Sequence, residues 1–217
     1  MKKFLGSDTS LKICGICSKE DAQKLIDHQV DALGFNFWAK SKRYIPPQEA
    51  KNIVDELNGF IVKVGVFVNA KPSAIYELFE NGTIDVAQLH GDEDANYCQK
   101  FASYGYPFIK AIGVNSADSL NNLKEYHATS ILLDAHAPDV YGGTGDTFDW
   151  NLAKHVIADH PDLPIILAGG ITPHNAASAT REVSPCALDV ASGAEISPGI
   201  KDFDKIISIQ RAIRSSK

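Results

Sequence analysis

The sequence predicts a single α/β domain, a parallel eight-stranded (β/α)8 (TIM) barrel. Three observations carry that prediction. Short apolar runs and amphipathic segments alternate about eight times without a break. The apolar runs are dense enough to be buried on both faces, which marks parallel pairing. Nearly every run ends on a polar residue or glycine, as strands do when their C-terminal ends build a site.

Taken in order, L-K-I-C-G-I reads as the first strand, and Ser18 with Glu20 and Asp21 as a helix start running to about Gln29. A-L-G-F-N-F is the second strand; after the loop W-A-K-S-K-R-Y-I, Pro46-Pro47 opens a helix in its favoured first turn. I-V-K-V-G-V-F-V is the third strand, with a helix from Pro72 to Asn81-Gly82. D-V-A-Q-L-H is the fourth, and G-D-E-D starts its helix with acids that suit the positive end of the dipole. P-F-I-K-A-I is the fifth, with a helix expected over Ser116 to Tyr126. S-I-L-L-D is the sixth; the Gly-rich loop Y-G-G-T-G follows it, then a helix from Phe148 to about Asp159. L-P-I-I-L-A is the seventh, followed by Gly169-Gly170 and a helix opened by Thr172-Pro173. C-A-L-D-V is the eighth, and a helix from about Asp202 to Arg214 closes the chain. Eight such units close most naturally into a barrel. An open doubly wound sheet ranks low, because C-G-I-C-S after the first strand is not a dinucleotide fingerprint.

Length and charge narrow the options. The 217 residues suit one domain, a little under the ~250 usual for such barrels. Residues 1–10 are expected as a frayed extension and 11–217 as the barrel domain. A net charge of -6 argues against a nucleic-acid partner. No apolar run approaches the roughly 20 residues that cross a bilayer, and M-K-K-F-L-G-S-D-T-S has no apolar core for a signal peptide. Four irregularly spaced cysteines fit reduced thiols in the cytoplasm.

The strand ends then supply the candidate site: Cys14, Asn36, Arg43 in the long second loop, Asn69, Gln88 with His90, Ile112 with Gly113, Asp134, Gly169-Gly170 and Ser192-Gly193. Glycines after the seventh and eighth strands stand where barrels bind phosphate. Cys14 and Asp134 are expected to face each other across the mouth, a thiolate able to take a proton from carbon and a carboxylic acid able to protonate a leaving oxygen. Those roles predict a lowered thiol pKa and a raised carboxyl pKa. Arginine's planar fork makes Arg43 a carboxylate or phosphate ligand. Lys12 shares the parity of Cys14 only on a regular strand, so its role stays open. Cys14-Gly-Ile-Cys17 has redox spacing, but Cys98 and Cys186 form no second pair for a zinc site. The seven histidines show no metal spacing, His90 and His136 being the two near the mouth, so no metal is expected.

K-I-C-G-I, G-F-N-F-x-x-K-S-x-R-Y, V-G-V-F-V-N, Q-L-H-G-D-E, L-L-D-A…Y-G-G-T-G-x-T-F-D-W, L-A-G-G-I and D-V-x-S-G-x-E, in that order, resemble the phosphoribosylanthranilate isomerase family from Leu11 almost to the end. The resemblance implies a (β/α)8 barrel of tryptophan biosynthesis. It implies a cofactor-free Amadori rearrangement of N-(5-phosphoribosyl)anthranilate, a small-molecule substrate. It makes Cys14 the general base, Asp134 the general acid, and Arg43 the ligand of the anthranilate carboxylate. Gly169, Gly170, Ser192 and Gly193 match the phosphate cradle, and Asp189 lines the site; Gln88 and His90 are placed with the substrate. Three positions depart from the family's usual residues: Cys17 for Thr, Asp146 for Lys and Ala191 for Ser. Two other enzymes compete with this reading. A sugar-phosphate epimerase would want metal ligands, and a histidine-pathway isomerase would want an aspartate at position 14. From other classes, a phosphate-ligand sensor on a decayed barrel would bind without turnover, and a thiol oxidoreductase would need Cys17.

Overall fold

A computed structural model describes residues 4–6, 8–135 and 148–216. Its eight parallel strands close into a barrel in sequence order. They are β1 (Ser10–Cys14), β2 (Ala32–Asn36), β3 (Val62–Phe67), β4 (Val86–Leu89), β5 (Phe108–Val114), β6 (Ser130–Ala135), β7 (Ile165–Leu167) and β8 (Ala187–Val190). A short antiparallel hairpin, β9 (Glu195–Ser197) and β10 (Ile200–Lys201), follows β8. The helices are α1 (Lys19–Asp27), α2 (Pro47–Asp55), α3 (Pro72–Glu80), α4 (Ala95–Ala102), α5 (Trp150–Asp159), α6 (Ala176–Ser178) and α7 (Phe203–Ser215).

Side chains two apart on a strand share a face. Val62 with Val64, Ile109 with Ala111, and Ile166 with Ala168 belong to the cluster that fills the barrel, alongside Ala32, Val86, Leu132 and Ala187. Extending each of these rows toward the strand's C-terminal end gives Gly34 and Asn36, Val66, Gln88 and His90, Asp134, and Asp189. The same alternation that packs the lower barrel with aliphatic side chains thus points the polar ones into its mouth. The opposite parity packs against the helices: Leu33, Phe35, Leu133, Leu167 and Leu188 join Leu25, Val156, Ile206 and Ile209 in the outer core.

Helix starts follow the local chemistry. The Ser18 hydroxyl accepts the Asp21 N–H at 3.2 Å and caps α1. Asp94, Asp149 and Asp202 cap α4, α5 and α7 in the same way. Pro47 and Pro72 occupy the first turn of α2 and α3.

Three expectations need correction. The helix expected over Ser116 to Tyr126 is instead two 3-10 turns, Ala117–Leu120 and Leu123–Tyr126. Asn122 between them has φ +59°, outside any helix, and Ser119 bonds back to the Ser116 carbonyl at 2.6 Å. Ser and Asn compete for backbone groups in this way, which disfavours a continuous helix. The helix expected to open at Thr172-Pro173 begins later. Asn175 Oδ1 accepts the Thr172 N–H at 2.7 Å and closes a turn there. Only α6 and a π turn, Ala179–Val183, follow. The N-terminal segment is not simply frayed: Phe4 is fully buried and packs with Ala32, Val62, Val86 and Ala187. Those four are the first residues of their strands, so Phe4 plugs the floor of the barrel.

Phe4→Ala should therefore destabilise the fold by about 3–5 kcal/mol, the usual cost of emptying a buried phenylalanine site. A urea titration reads it as a lower midpoint, and an unchanged midpoint would show that the floor closes without this side chain.

Candidate active site

An open cavity occupies the barrel mouth. Cys14, Arg43, Gln88, His90, Asp134, Gly169, Gly170, Asp189, Ser192 and Gly193 all line it. Those ten expected residues thus meet in one place, whereas Ile112 packs in the outer core and Gly113 is exposed, and neither lines the cavity. Asn36 lines it as well, while Asn69 serves the scaffold: its backbone N–H donates to Glu93 at 2.8 Å. His136, the Y-G-G-T-G loop and Asp146 lie outside the described residues.

Cys14 stands at the end of β1 beside a side chain whose role the sequence left open. Lys12 is fully buried, and its ammonium donates to Asp189 Oδ1 at 2.8 Å across the β1–β8 pairing. The strand is regular, so Lys12 does share the face of Cys14. Gly34 makes room for both: a Cβ there would stand 2.9 Å from the Cys14 sulfur and 3.1 Å from the Lys12 nitrogen. Burial works against the Lys12 charge, but Asp189 and Cys14 outweigh it and raise its pKa. The expected lowering of the thiol pKa is corrected. Burial pushes Cys14 up, and the Lys12 charge opposes that without cancelling it.

Arg43 reaches the same wall already gripped. Glu195, from β9, accepts its Nε at 3.0 Å and its Nη2 at 2.7 Å. Lys201, from β10, donates to Glu195 at 2.7 Å and to the Cys14 carbonyl at 2.6 Å. Burial alone would raise the Glu195 carboxyl, but the bonds from Arg43 and the Lys201 charge outweigh it and hold it below the usual range. Nη1 of Arg43 has no partner among the described residues, which leaves one edge of the fork for a ligand. Lys12, Glu195 and Lys201 were missed as site residues. A lysine inside the apolar run L-K-I-C was the one available signal; the hairpin had only the P-G turn of S-P-G-I.

On the opposite wall, Asp134 is 6 % exposed. Its Oδ1 accepts the Ala135 N–H at 2.8 Å, and Oδ2 lies 3.4 Å from His90 Nε2. The Gln88 amide nitrogen meets His90 Nδ1 at 2.9 Å, while Gln88 Oε1 is buried without a partner among the described residues.

The glycines after β7 and β8 allow close approach. Gly169 has φ +79°, and a Cβ there would meet the Ala135 nitrogen at 2.7 Å. A Cβ on Gly193 would lie 1.8 Å from the Ile171 carbonyl oxygen, so the two loops touch backbone to backbone. Asn175 braces the first loop by donating to the Gly170 carbonyl at 2.9 Å. Cys17 does not line the cavity; its sulfur lies 3.6 Å from the Arg43 carbonyl. Among the described residues, no group of three or more His, Cys, Asp or Glu is placed to hold a metal ion, and no helix is long and apolar enough to cross a membrane.

Comparison with known proteins places this geometry. The family model for N-(5'-phosphoribosyl)anthranilate (PRA) isomerase matches residues 11–212. The N-(5'-phosphoribosyl)anthranilate isomerase of Trichlorobacter lovleyi is 42% identical over 207 residues, 95% of this chain and 97% of that protein. The crystal structure of phosphoribosyl anthranilate isomerase from Thermotoga maritima is 39% identical with a TM-score of 0.84, covering 95% of this chain and 99% of that one. A further isomerase structure, in complex with reduced 1-(o-carboxyphenylamino)-1-deoxyribulose 5-phosphate, is 36% identical with a TM-score of 0.81 over 95% and 99% of the two chains. The chain belongs to the phosphoribosylanthranilate isomerase family.

Proposed function

We propose that this protein isomerises N-(5-phosphoribosyl)anthranilate to 1-(2-carboxyphenylamino)-1-deoxyribulose 5-phosphate in tryptophan biosynthesis, by general acid–base catalysis in the cytoplasm. The observation that carries the reading is the shared cavity. Cys14 and Asp134 line it together with the Gly169-Gly170 and Ser192-Gly193 loops. Acid, base and an anion-sized backbone cradle are what an Amadori rearrangement of a sugar phosphate requires.

The phosphate is held by the two glycine loops, where backbone N–H groups come close to it. The anthranilate carboxylate takes the free edge of the Arg43 fork, with Glu195 fixing the guanidinium from behind. Asp189, Gln88 and His90, which line the same cavity, hold the ribose and the amine. Protonated Asp134 then gives its proton to the ribose ring oxygen, and the C1′–O bond breaks to leave a Schiff base. Cys14, as thiolate, removes the C2′ proton, and the electron pair moves toward nitrogen to give an enolamine. Ketonisation returns a proton to C1′ while the C2′ hydroxyl releases one. Protons taken and given balance, so no cofactor enters the scheme.

Among the described residues, no feature at the mouth favours the competing readings. The residue at 14 is not the aspartate of a histidine-pathway isomerase, and Cys17 stands away from the cavity.

A fluorescence assay that follows loss of the anthranilate substrate tests the reading. Cys14→Ala and Asp134→Asn should each lower kcat by roughly 100- to 10,000-fold, the span of one proton-transfer group, while a product analogue still binds. Normal kcat in either variant removes that residue from the scheme, and no turnover by the unaltered protein leaves only a ligand sensor. Gly193→Ala should weaken inorganic phosphate as a competitive inhibitor by displacing the Ile171 carbonyl; equal inhibition would place the phosphate elsewhere.

A further inference from the structure

Charge is not balanced around Cys14. Lys12 and Asp189 meet on one side of it, and Arg43, Glu195 and Lys201 form a joined group on the other. That is three cations against two carboxylates, all buried or half-buried. Asp21 is the next carboxylate outward; it is half-buried at the start of α1 and accepts the Lys201 backbone N–H at 3.2 Å. Asp134 and His90 stand across the cavity against each other. A desolvated charge without a partner is costly. One ionised thiol at Cys14 would balance the inner group.

Donor accounting points to the same atom. An ammonium has three N–H groups to satisfy. Buried Lys110 gives them to Gly91 O at 2.7 Å, Glu93 at 2.8 Å and Leu89 O at 3.4 Å. Lys201 has two oxygen partners. Lys12 has one, Asp189, and the Cys14 thiol lies near enough to favour its charge. Gly34 leaves open the space into which both project.

We propose that Lys12, held in place by Asp189, is the positioning residue that supplies the counter-charge for an ionised Cys14 in the proton-abstraction step. The proposal rests on the reading of Cys14 as the base. It separates Lys12 from the other two buried lysines, whose oxygen partners make them braces. The influences on the thiol have opposite signs: burial and Asp189 make it harder to ionise, Lys12 and Lys201 make it easier. Removing the Lys12 charge and removing the Asp189 charge must therefore move it in opposite directions.

Iodoacetamide alkylation of the full-length folded protein, read at the Cys14 peptide by mass spectrometry over pH ~6 to 10, tests this without substrate. Lys12→Met should move the alkylation midpoint up by about one unit or more, a tenfold loss of thiolate at neutral pH. Lys12→Arg should restore most of it, and Asp189→Asn should move the midpoint down. In turnover, Lys12→Met should lower kcat about tenfold with KM little changed, recovering as pH rises. Shifts in the same direction for Lys12→Met and Asp189→Asn, or no shift in the former, would overturn the proposal and leave Lys12 a packing residue. Should Lys12→Met fail to fold, Lys12→Gln, which removes the charge but keeps a polar side chain, decides in its place by the same rise in the midpoint. Alkylation reports on the thiol whether or not the protein turns over; a Cys14→Ala variant with full kcat would sink the isomerase scheme while leaving the ionisation result intact.

Discussion

The seam between β1 and β8 is the constraint on which the mouth of this barrel depends. Lys12 pairs with Asp189 in the strand register, and their side chains form an ion pair inside the barrel. In an open sheet these would be edge strands on opposite sides of the molecule. Closure instead sets the end of β1, with Cys14, directly beside the loop that follows β8. The thiol and the Ser192-Gly193 turn share a cavity only because the first and last strands are neighbours. The hairpin after that turn then folds back, and Lys201 ties it to the Cys14 carbonyl.

A buried ion pair is weak evidence for stability, since apolar residues of similar volume often do as well. The three buried lysines are better understood by what each one holds. Lys110, in β5, and Glu93 clamp the end of β4, and Glu93 also takes the N–H groups of Asn69 and Gly91. That fixes the backbone just beyond Gln88 and His90. Lys201 and Glu195 fix Arg43 and the last residue of β1. Polar groups at the mouth are thus rigid through charge-assisted bonds where the aliphatic packing below cannot reach them.

Much of this was legible in the sequence, because two-residue alternation and strand-end polarity are local signals. They place every barrel strand, and they gather Cys14, Asp134, Gln88 and the two glycine pairs at one end of the fold. What escaped is non-local. Glu195 enters the sequence reading only as the last residue of D-V-x-S-G-x-E, and nothing local shows that β10 brings Lys201 against it. Lys12 reads as an irregularity in an apolar strand until closure supplies Asp189. The failed helix over Ser116 to Tyr126 is a different kind of miss: its apolar spacing was adequate, but its Ser and Asn side chains favour local backbone bonds over a continuous helix.

The two walls of the cavity are chemically unlike, and this bears on which group serves as base. In principle either Cys14 or Asp134 could take the C2′ proton. Around Cys14, burial opposes an anion, but Lys12 and Lys201 both favour one. Asp134 has no lysine or arginine among its described partners; it meets one backbone N–H and His90. An anion forming in the transition state is stabilised where fixed positive charge already points at it. Under the proposed scheme, the cation-rich wall is the one that would steady a thiolate at Cys14. In the same scheme, the acid stands on the opposite wall, where His90 lies beside Asp134. The asymmetry comes from the backbone: β1 and β8 bring a lysine and an aspartate together at the seam, and β4 and β6 bring no lysine.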